Sequence, residues 1–380
     1  MSRARSVTLF AKAEPAMTGT ARYAAALADQ LPALGYRVAL RRSRAPWPGA
    51  LTRPLRRLGL DLDAFWTSYP LLAGPARPGV LHLTAQTLAT ALLAPRPRRP
   101  TVVTVHDILP YTLRHDPTLG TIRHPLDLLF YRLALRGLAR ADLVLADSAY
   151  TAAELDRAVG LGDGRVRVVP LGVDGRRFHP DRPTDELRAG YGLVEGERYV
   201  IYVGSEDPRK NLPALWRAFA RVLTRHPEVR LLKVGTAHHQ AERARLEELG
   251  RQLGIAAAVR FLGQVSDEAL RSLYGLAAVC VVPSLYEGFG LPVLEAMACG
   301  APVVCSNRTS LPEVAADAAL VVEPEPESLA AAIARILADP AGQDELRQRG
   351  LRRAAAYTWR RTAEQTAAAY EDLRAQCGNP

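Results

Sequence analysis

Two carboxylates flank a glycine turn in the stretch SLYEGFGLPVLEAMACG, which begins at residue 284. Glu287 precedes the turn, and Glu295 follows it. Between them, Gly288 and Gly290 can adopt backbone angles closed to other residues and let a ligand approach the main chain. The amides after the turn would then face an anion or a sugar oxygen at the start of a helix. We predict that Glu287 accepts hydrogen bonds from hydroxyl groups and that Glu295 holds a vicinal diol such as a ribose.

A cationic pair lies in the stretch YVIYVGSEDPRKNL, in which an apolar strand ends at Val203 and a helix begins near Asn211. Lys210 is one of only three lysines in a chain with 46 arginines. At the start of a helix, the backbone amides and the helix dipole favour an anion. Lys210 and Arg209 are therefore predicted to clamp a diphosphate. The open alternative is a capped helix start with solvated cations.

The N-terminal half offers two further candidates. Gly19, between two threonines, begins a small-residue loop that leads into a helix and lets a ligand approach the backbone. His106 and Asp107 end the apolar run TVVTVHD and predict a polar pair at the ligand-facing end of a strand. The alternative for His106 is a hydrogen-bonded loop residue without a chemical role.

Several function classes lack their signatures. The chain has no phosphate-binding GxxxxGK[ST] loop, no GxGxxG after its first strand and no GxSxG. His238 and His239 have no further ligands at metal spacing, so we expect no metal and no cofactor. The four cysteines show no CxxC spacing, and the basic N-terminus is followed by only a short apolar stretch. A reduced, cytoplasmic protein without signal peptide or membrane-spanning helix is the expectation.

Short β-branched runs alternate with helical periodicity along the chain, as in 211–225, 238–253 and 326–338. This pattern predicts parallel sheets covered on both faces and hence an α/β fold of two doubly wound domains. We predict domains at 1–178 and 179–358, with a final helix over 359–376 packing on the first. Ligands bind such sheets at the carboxyl ends of the strands, where every candidate above lies.

The positive charge is confined to one half of the chain. The net charge is +10, and residues 1–175 hold 23 basic against 13 acidic side chains, whereas the rest is balanced at 26 each. Aromatic residues are scarce among the arginine runs, which disfavours nucleic acid. We predict either a solvated basic surface or peripheral attachment to the anionic inner face of a membrane. The cluster that would provide it comprises Arg41, Arg42, Arg44, Arg53, Arg56 and Arg57.

Taken together, these stretches resemble the retaining glycosyltransferases of the GT-B fold, family-four group, over nearly the whole chain. The motifs that carry the resemblance are TGTARY, TVHD, ADSAYTAAEL, VVPLGVD, VGSEDPRKNL, VPSLYEGFGLPVLEAMACGAPVVCS, LPEV and YTWRRTAEQ. The glutamate-flanked GFGLP segment is the most specific of them. PRKNL is most similar to bacterial mannosyl- and rhamnosyl-type transferases of surface polysaccharide assembly.

The resemblance implies two Rossmann-like domains that face each other across a cleft and clamp a nucleotide sugar. Lys210 would contact the donor diphosphate, Glu295 the ribose, and Glu287 the donor sugar. Gly19 would lie against the diphosphate and His106 near the anomeric centre. The implied catalytic set is His106, Lys210 and Glu287. The implied donor-binding set is Gly19, Gly204, Ser205, Arg209, Lys210, Glu287, Gly288, Phe289, Gly290, Leu291 and Glu295.

One position departs from the family pattern, because Ser205 stands where many members carry an arginine. Arg209 is the candidate to compensate. The expected reaction is retaining transfer of a sugar, from GDP-mannose as the first expectation, to a glycan, a lipid-linked or a small-molecule acceptor. Two alternatives stay open: a nucleotide-sugar epimerase or hydrolase on the same fold, and a non-catalytic sugar-binding protein.

Overall fold

A computed structural model gives the fold. It describes residues 5–13, 18–43, 62–71, 78–95, 99–122, 124–162, 164–181, 183–237 and 240–376. These residues form two compact units, one before Val173 together with the helix that begins at Trp359, and one from Val173 to Thr358. Among these residues the structure has twelve strands, which alternate with helices as the sequence pattern predicts.

The first unit holds six parallel strands in the order β2-β1-β3-β4-β5-β6. The strands are β1 (Arg5–Ala11), β2 (Tyr36–Arg42), β3 (Val80–Leu83), β4 (Thr101–Val105), β5 (Leu143–Ala146) and β6 (Val166–Val168). The helices are α1 (Gly19–Gln30), α2 (Leu62–Ser68), α3 (Leu109–Thr112), α4 (Pro125–Leu138) and α5 (Ala149–Val159), with 3₁₀ helices at Leu31–Leu34 and Gln86–Leu92. The chain reverses its direction across the sheet between β1 and β3.

The second unit holds six parallel strands in the order β12-β11-β10-β7-β8-β9. The strands are β7 (Arg198–Val203), β8 (Val229–Val234), β9 (Val259–Gly263), β10 (Val279–Val282), β11 (Val303–Ser306) and β12 (Leu320–Val322). The helices are α6 (Asp185–Gly190), α7 (Leu212–Leu223), α8 (Gln240–Gln252), α9 (Asp267–Leu276), α10 (Leu291–Ala298), α11 (Leu311–Ala315), α12 (Pro326–Ala338) and α13 (Pro340–Ala355). The 3₁₀ helices are Pro208–Lys210 and Ala256–Ala258. In this sheet the chain reverses its direction between β7 and β10, and this position is the topological switch point of the sheet.

Continuous apolar runs explain the central strands. Every residue of β3, β4, β5, β10 and β11 is buried. A strand with helices on both faces has no solvated side, so it needs apolar residues throughout instead of an alternating pattern. On one face of the second sheet, the apolar side of α7 packs with α12 over the strands, around the fully buried Trp216 and Phe219.

The division between the units falls at 172/173, whereas the sequence predicts 178/179. The reason is local contact. The Val173 amide donates to the Tyr357 carbonyl, and the Phe178 ring meets the Tyr274 ring edge-on. Arg177 also forms an ion pair with Asp267. The segment after Gly172 is thus bound to the second unit.

The last helix, α14 (Trp359–Gln376), belongs to the first unit. The Tyr370 hydroxyl lies 2.5 Å from His82 Nδ1 on β3. The Thr362 hydroxyl donates to the Pro170 carbonyl at 2.8 Å, and Tyr36 on β2 donates to Glu371. The helix is therefore joined to the first unit by side-chain hydrogen bonds, of which the contact between Tyr370 and His82 is fully buried.

Candidate functional site

Three predicted residues meet at the switch point of the second sheet. Lys210 Nζ donates to Glu287 Oε1 at 2.6 Å, and Arg209 reaches Glu287 Oε2 at 3.4 Å. The Ser284 hydroxyl donates to Oε1 at 2.7 Å. The cations follow β7 and the carboxylate follows β10, which pair with each other in the sheet. The sheet topology thus gathers residues that are far apart in the sequence.

The electrostatics of this cluster are asymmetric. Burial raises the pKa of Glu287, but the charges of Lys210 and Arg209 outweigh burial and hold that pKa below its usual range. Burial lowers the pKa of Lys210, and Arg209 lowers it further, whereas Glu287 offsets only part of this. Glu287 contacts two cations, whereas Lys210 lies beside a second cation, and Glu287 and Asp207 together offset only part of the effect of its burial. An incoming anion beside Lys210 would raise its pKa again.

The backbone of Glu287 is held by residues that the sequence analysis missed. The Glu287 amide donates to Thr309 Oγ1 at 3.0 Å. The Ser310 hydroxyl lies 2.9 Å from the carbonyl oxygens of both Glu287 and Phe289. Thr309 has φ 54°, a left-handed conformation that is strained for a β-branched residue. The only sequence signal was a run of short hydroxyl residues just after β11, which follows β10 in the sheet.

Lys210 lies just before the start of an α-helix, close to the predicted helix start near Asn211. It ends the 3₁₀ helix Pro208–Lys210, which the sequence analysis did not predict. Asn211 follows with φ 56° and caps α7, which begins at Leu212. The Asn211 side-chain amide donates to the carbonyls of Pro283 and Pro324, at 3.2 and 2.8 Å. This left-handed residue turns the chain sharply, so Lys210 points to Glu287 instead of continuing the helix.

The glycine turn leads into a buried helix. Gly290 has φ 105°, and a Cβ there would lie 2.7 Å from Leu311 Cδ2. Helix α10 begins at Leu291 as predicted, but it is buried on all sides from Val293 onward and is not amphipathic. The reason is that α10 packs against α13 and α11 as well as the sheet. Glu295 on this helix is 5% exposed, and its predicted ribose contact stays a prediction.

The loop after β7 is ordered by its own side chains. Gly204 has φ 153°, and a Cβ there would lie 2.6 Å from the Tyr202 hydroxyl, which donates to the Ser205 carbonyl at 2.7 Å. The Ser205 hydroxyl donates to Asp207 at 2.8 Å. Ser205 therefore closes the loop through a hydrogen bond. Arg209 lies 4.0 Å from the same Asp207 carboxylate.

Glu206 in this loop forms ion pairs with both Lys233 and Arg243, which the sequence analysis did not identify. Glu206 accepts from Lys233 Nζ at 2.7 Å and from Arg243 Nε at 2.9 Å. Lys233 has no exposed surface, and its ammonium also donates to the Gly235 carbonyl at 2.8 Å. The Arg243 guanidinium stacks on the Phe261 ring at 4.2 Å. The one available signal was a lysine inside an apolar strand run, which requires a buried partner.

The first unit holds the other two candidates. Gly19 begins α1 and is exposed; the preceding Thr18 caps the helix by accepting from the Ala21 amide at 3.2 Å. His106 is buried, with Nδ1 2.6 Å from Asp147 Oδ2 and Nε2 2.9 Å from the Thr84 carbonyl. Burial lowers the pKa of His106, but Asp147 and the Thr84 carbonyl raise it above its usual value. Asp147 was missed, although it directly follows an apolar strand run as His106 does.

Several residues named in the sequence analysis are not among those that the structure describes. His238, His239 and Cys377 lie outside the described residues, as do Arg44, Arg53, Arg56 and Arg57. In the part of the chain that the structure describes, no three His, Cys, Asp or Glu side chains gather to hold a metal ion. Over that same part, none of the helices has the length and apolar character needed to span a membrane.

In a comparison with known proteins, each of the two units matches a protein family. The family described as Glycosyltransferase Family 4 matches residues 17–177, and the family described as Glycosyl transferases group 1 matches residues 183–354. The O-antigen chain mannosyltransferase B of Escherichia coli is 34% identical over 277 residues, which are 72% of this chain and 70% of that protein. The chain belongs to the group 1 glycosyltransferases of the GT-B fold. Its activity is glycosyl transfer from a nucleotide-sugar donor.

Two further proteins are similar to this chain. A D-inositol 3-phosphate glycosyltransferase of Catenulispora acidiphila is 37% identical over 250 residues, which are 62% of this chain and 58% of that protein. The solved sucrose-phosphate synthase of Thermosynechococcus elongatus is 27% identical with a TM-score of 0.74, covering 98% of this chain and 100% of that one. The predicted family and GT-B fold are thereby confirmed. These relatives are named for different compounds.

Proposed function

We propose that this glycosyltransferase binds the diphosphate of its donor beside Arg209 and Lys210 and transfers the sugar with retention of configuration. GDP-mannose is the first candidate donor, since the similar Escherichia coli protein is named a mannosyltransferase. The acceptor would be a glycan, a lipid-linked saccharide or a small molecule.

The observation that carries the proposal is the convergence of two cations and one carboxylate at the switch point between β7 and β10. Open α/β sheets bind ligands in the crevice outside the carboxyl ends of strands at such a point. Lys210 and Arg209 bring positive charge to this crevice, and Glu287 holds both in place. A diphosphate is the component of a nucleotide sugar that this charge recognises best.

The same cluster also suits the step in which the nucleoside diphosphate leaves the donor sugar. As the glycosidic bond breaks, negative charge grows on the leaving nucleoside diphosphate, and fixed cations stabilise that charge more in the transition state than in the ground state. Both oxygens of Glu287 are occupied by Lys210, Arg209 and Ser284. A carboxylate so engaged, with a lowered pKa, is a poor acid and a poor nucleophile. This supports same-face attack, in which the donor phosphate takes the acceptor proton.

A donor screen with two readouts tests the proposal. Release of GDP, UDP, dTDP or ADP is measured from the matching sugars with and without acceptor, and the anomeric configuration of the product is read by proton NMR. We expect acceptor-dependent release and an α-linked product from an α-linked donor. Free or isomerised sugar without acceptor would indicate the hydrolase or epimerase. Tight donor binding without release would indicate a binding protein, and a β-linked product would contradict retention.

We further propose reversible binding to anionic membrane through the basic cluster of the first unit. Of its six arginines, the structure describes Arg41 and Arg42, at the end of β2. Burial lowers the pKa of Arg99, and the positive charge of Arg41 lowers it further. Arg99 therefore adds a third positive charge near these two. Such a gathering of like charges favours an anionic surface, at about 1 kcal/mol per cation.

Sedimentation with vesicles tests this second proposal. The enzyme should pellet with anionic vesicles at low salt and stay in solution with neutral vesicles or at high salt. Replacing Arg41 and Arg42 by glutamate should weaken the pelleting. The matched control replaces Arg225 and Arg335, two exposed arginines of the second unit, in the same way. Equal recovery in the supernatant with both vesicle types would reject membrane binding.

A further inference from the structure

Sheet register brings a histidine and an aspartate together at one edge of the first unit. Val105 on β4 is the partner of Ala146 on β5. The next residue of each strand, His106 and Asp147, therefore leaves the sheet at the same level. Their side chains meet at 2.6 Å between Nδ1 and Oδ2, and both are buried.

The partners of the two ring nitrogens determine where protons lie. His106 Nε2 lies 2.9 Å from the Thr84 carbonyl oxygen, which can only accept, so Nε2 carries a hydrogen. Nδ1 faces a carboxylate oxygen, which accepts unless the acid is protonated. An ionised Asp147 thus requires a hydrogen on Nδ1 as well. The geometry fits an imidazolium that donates in two directions.

We propose that Asp147 is a positioning residue that keeps His106 a hydrogen-bond donor at both ring nitrogens. His106 would then present a fixed, positively charged ring to the reacting sugar and would not take up the proton of the acceptor. The contribution to transfer rests on the proposed function, whereas the protonation state of His106 does not.

The groups around His106 are compatible with this charge. Asp107 is the next residue, and its carboxylate raises the pKa of His106 as Asp147 does. His82 on β3 is the other histidine that faces this region, but burial lowers its pKa to about 3, so it adds no positive charge at neutral pH. Tyr23 on α1 meets the His106 ring edge-on at 5.1 Å, and burial raises the pKa of Tyr23, which stays neutral.

The second oxygen of Asp147 gives an independent reason to expect a role beyond packing. Asp147 is 1% exposed, and its Oδ1 has no hydrogen-bond partner among the described residues. A buried polar atom left unpaired costs about 1–3 kcal/mol. A serine or an asparagine would bond the histidine with less buried charge. Buried unpaired atoms of this kind often mark functional positions.

Nitrogen NMR of histidine-labelled enzyme tests the proposal directly, with His106→Gln used to assign the signals. At pH 7 we expect both ring nitrogens of His106 to carry hydrogen. In Asp147→Asn, the carboxylate that raises the pKa of His106 is gone, whereas burial still lowers that pKa. Nδ1 should therefore lose its proton at pH 7. An unprotonated Nδ1 in the wild-type enzyme would overturn the proposal, whether or not Asp147→Asn folds.

Transfer kinetics supply the second readout. We expect Asp147→Asn to lower kcat by up to about a hundredfold, as misplacement of a reacting-site group does, and to shift the pH profile of kcat. The control is Asp142→Asn, just before β5, where the carboxylate accepts from the Thr101 amide and hydroxyl at 2.8 Å. That control should lower stability and leave the pH profile unchanged. An unchanged profile in Asp147→Asn would contradict the positioning role. Absence of any sugar transfer would refute the proposed function and leave the NMR result standing.

Discussion

At the scale of single residues, the cluster around Glu287 is built so that charge compensation is incomplete. Glu287 receives hydrogen bonds on both carboxylate oxygens, whereas Lys210 is buried beside a second cation. Two charges in a low-dielectric site attract strongly, but each also loses its hydration. In the proposed donor complex, the diphosphate would add negative charge beside Lys210 and Arg209 and raise the pKa of Lys210.

Removal of Lys210 should impair turnover far more than donor binding. We expect Lys210→Met to lower kcat about a hundredfold, which corresponds to roughly 2–4 kcal/mol of lost transition-state stabilisation. The substitution also leaves Glu287 buried without its closest partner, which lowers stability. The control is the double variant Lys210→Met with Glu287→Gln, which should regain part of the melting temperature but none of the turnover. Near-normal kcat in Lys210→Met would remove Lys210 from the mechanism.

The lowered pKa of Glu287 predicts how stability changes with pH. A carboxylate whose pKa is lower in the folded than in the unfolded state adds stability above its ordinary value, near 4.5, and loses it as the pH falls through the folded pKa. Wild-type enzyme should therefore lose unfolding free energy below about pH 4.5 more steeply than Glu287→Gln. Urea unfolding of both proteins at several pH values measures the difference. Parallel pH curves would show that the pKa of Glu287 is the same in the folded and the unfolded enzyme.

At the scale of elements, the turn between β7 and α7 decides where the cations point. Asn211 adopts a left-handed conformation and donates to the Pro283 and Pro324 carbonyls. These bonds join the loop after β7 to the chain segments that follow β10 and β12. The element that carries Lys210 is thereby fixed to the element that carries Glu287. The geometry of the ion pair is a consequence of this junction.

Two substitutions at Asn211 separate its hydrogen bonds from its backbone conformation. Asn211→Gly keeps the left-handed angle available but loses both side-chain bonds. Asn211→Ala loses the bonds and also strains the backbone, so it should be less stable than Asn211→Gly by about 1–2 kcal/mol. Urea unfolding of the two variants measures this difference. Equal stability would mean that residue 211 relaxes to another conformation when its side chain is removed.

The sequence predicts the elements better than their junctions. The strand runs and the start of α10 at Leu291 follow from apolar patterning, because burial on both faces demands it. The ion pair of Lys210 with Glu287 did not follow, because the left-handed Asn211 that aims Lys210 depends on carbonyls that are distant in the sequence. Glu206 and Lys233 were missed for the same reason, since an ion pair across strands leaves no local pattern. Asp147 could have been found by applying to β5 the rule that identified His106 after β4.

At the scale of the whole molecule, the chain returns to its first unit after completing its second. Helix α14 closes a buried polar chain in which Tyr370 contacts His82 and His82 contacts Thr104 at 2.7 Å. Thr104 in turn lies 2.8 Å from the Tyr23 hydroxyl. The Tyr23 ring is in edge contact with His106. The C-terminal helix is therefore connected through hydrogen bonds to the surroundings of His106.

Loss of the Tyr370 hydroxyl should weaken the first unit selectively. In Tyr370→Phe, His82 Nδ1 stays buried without a partner, at a cost of about 1–3 kcal/mol. Hydrogen exchange followed by mass spectrometry should show faster exchange in α1, β3 and α14, with β7 and β10 of the second unit unchanged. The control is Tyr150→Phe, whose half-buried hydroxyl donates to Glu154 on the same helix at 3.0 Å. Because we propose that the donor diphosphate binds beside Arg209 and Lys210 of the second unit, donor affinity should persist in Tyr370→Phe while transfer declines. Uniform acceleration of exchange across both units would instead show that the units unfold as one and that α14 stabilises the entire enzyme.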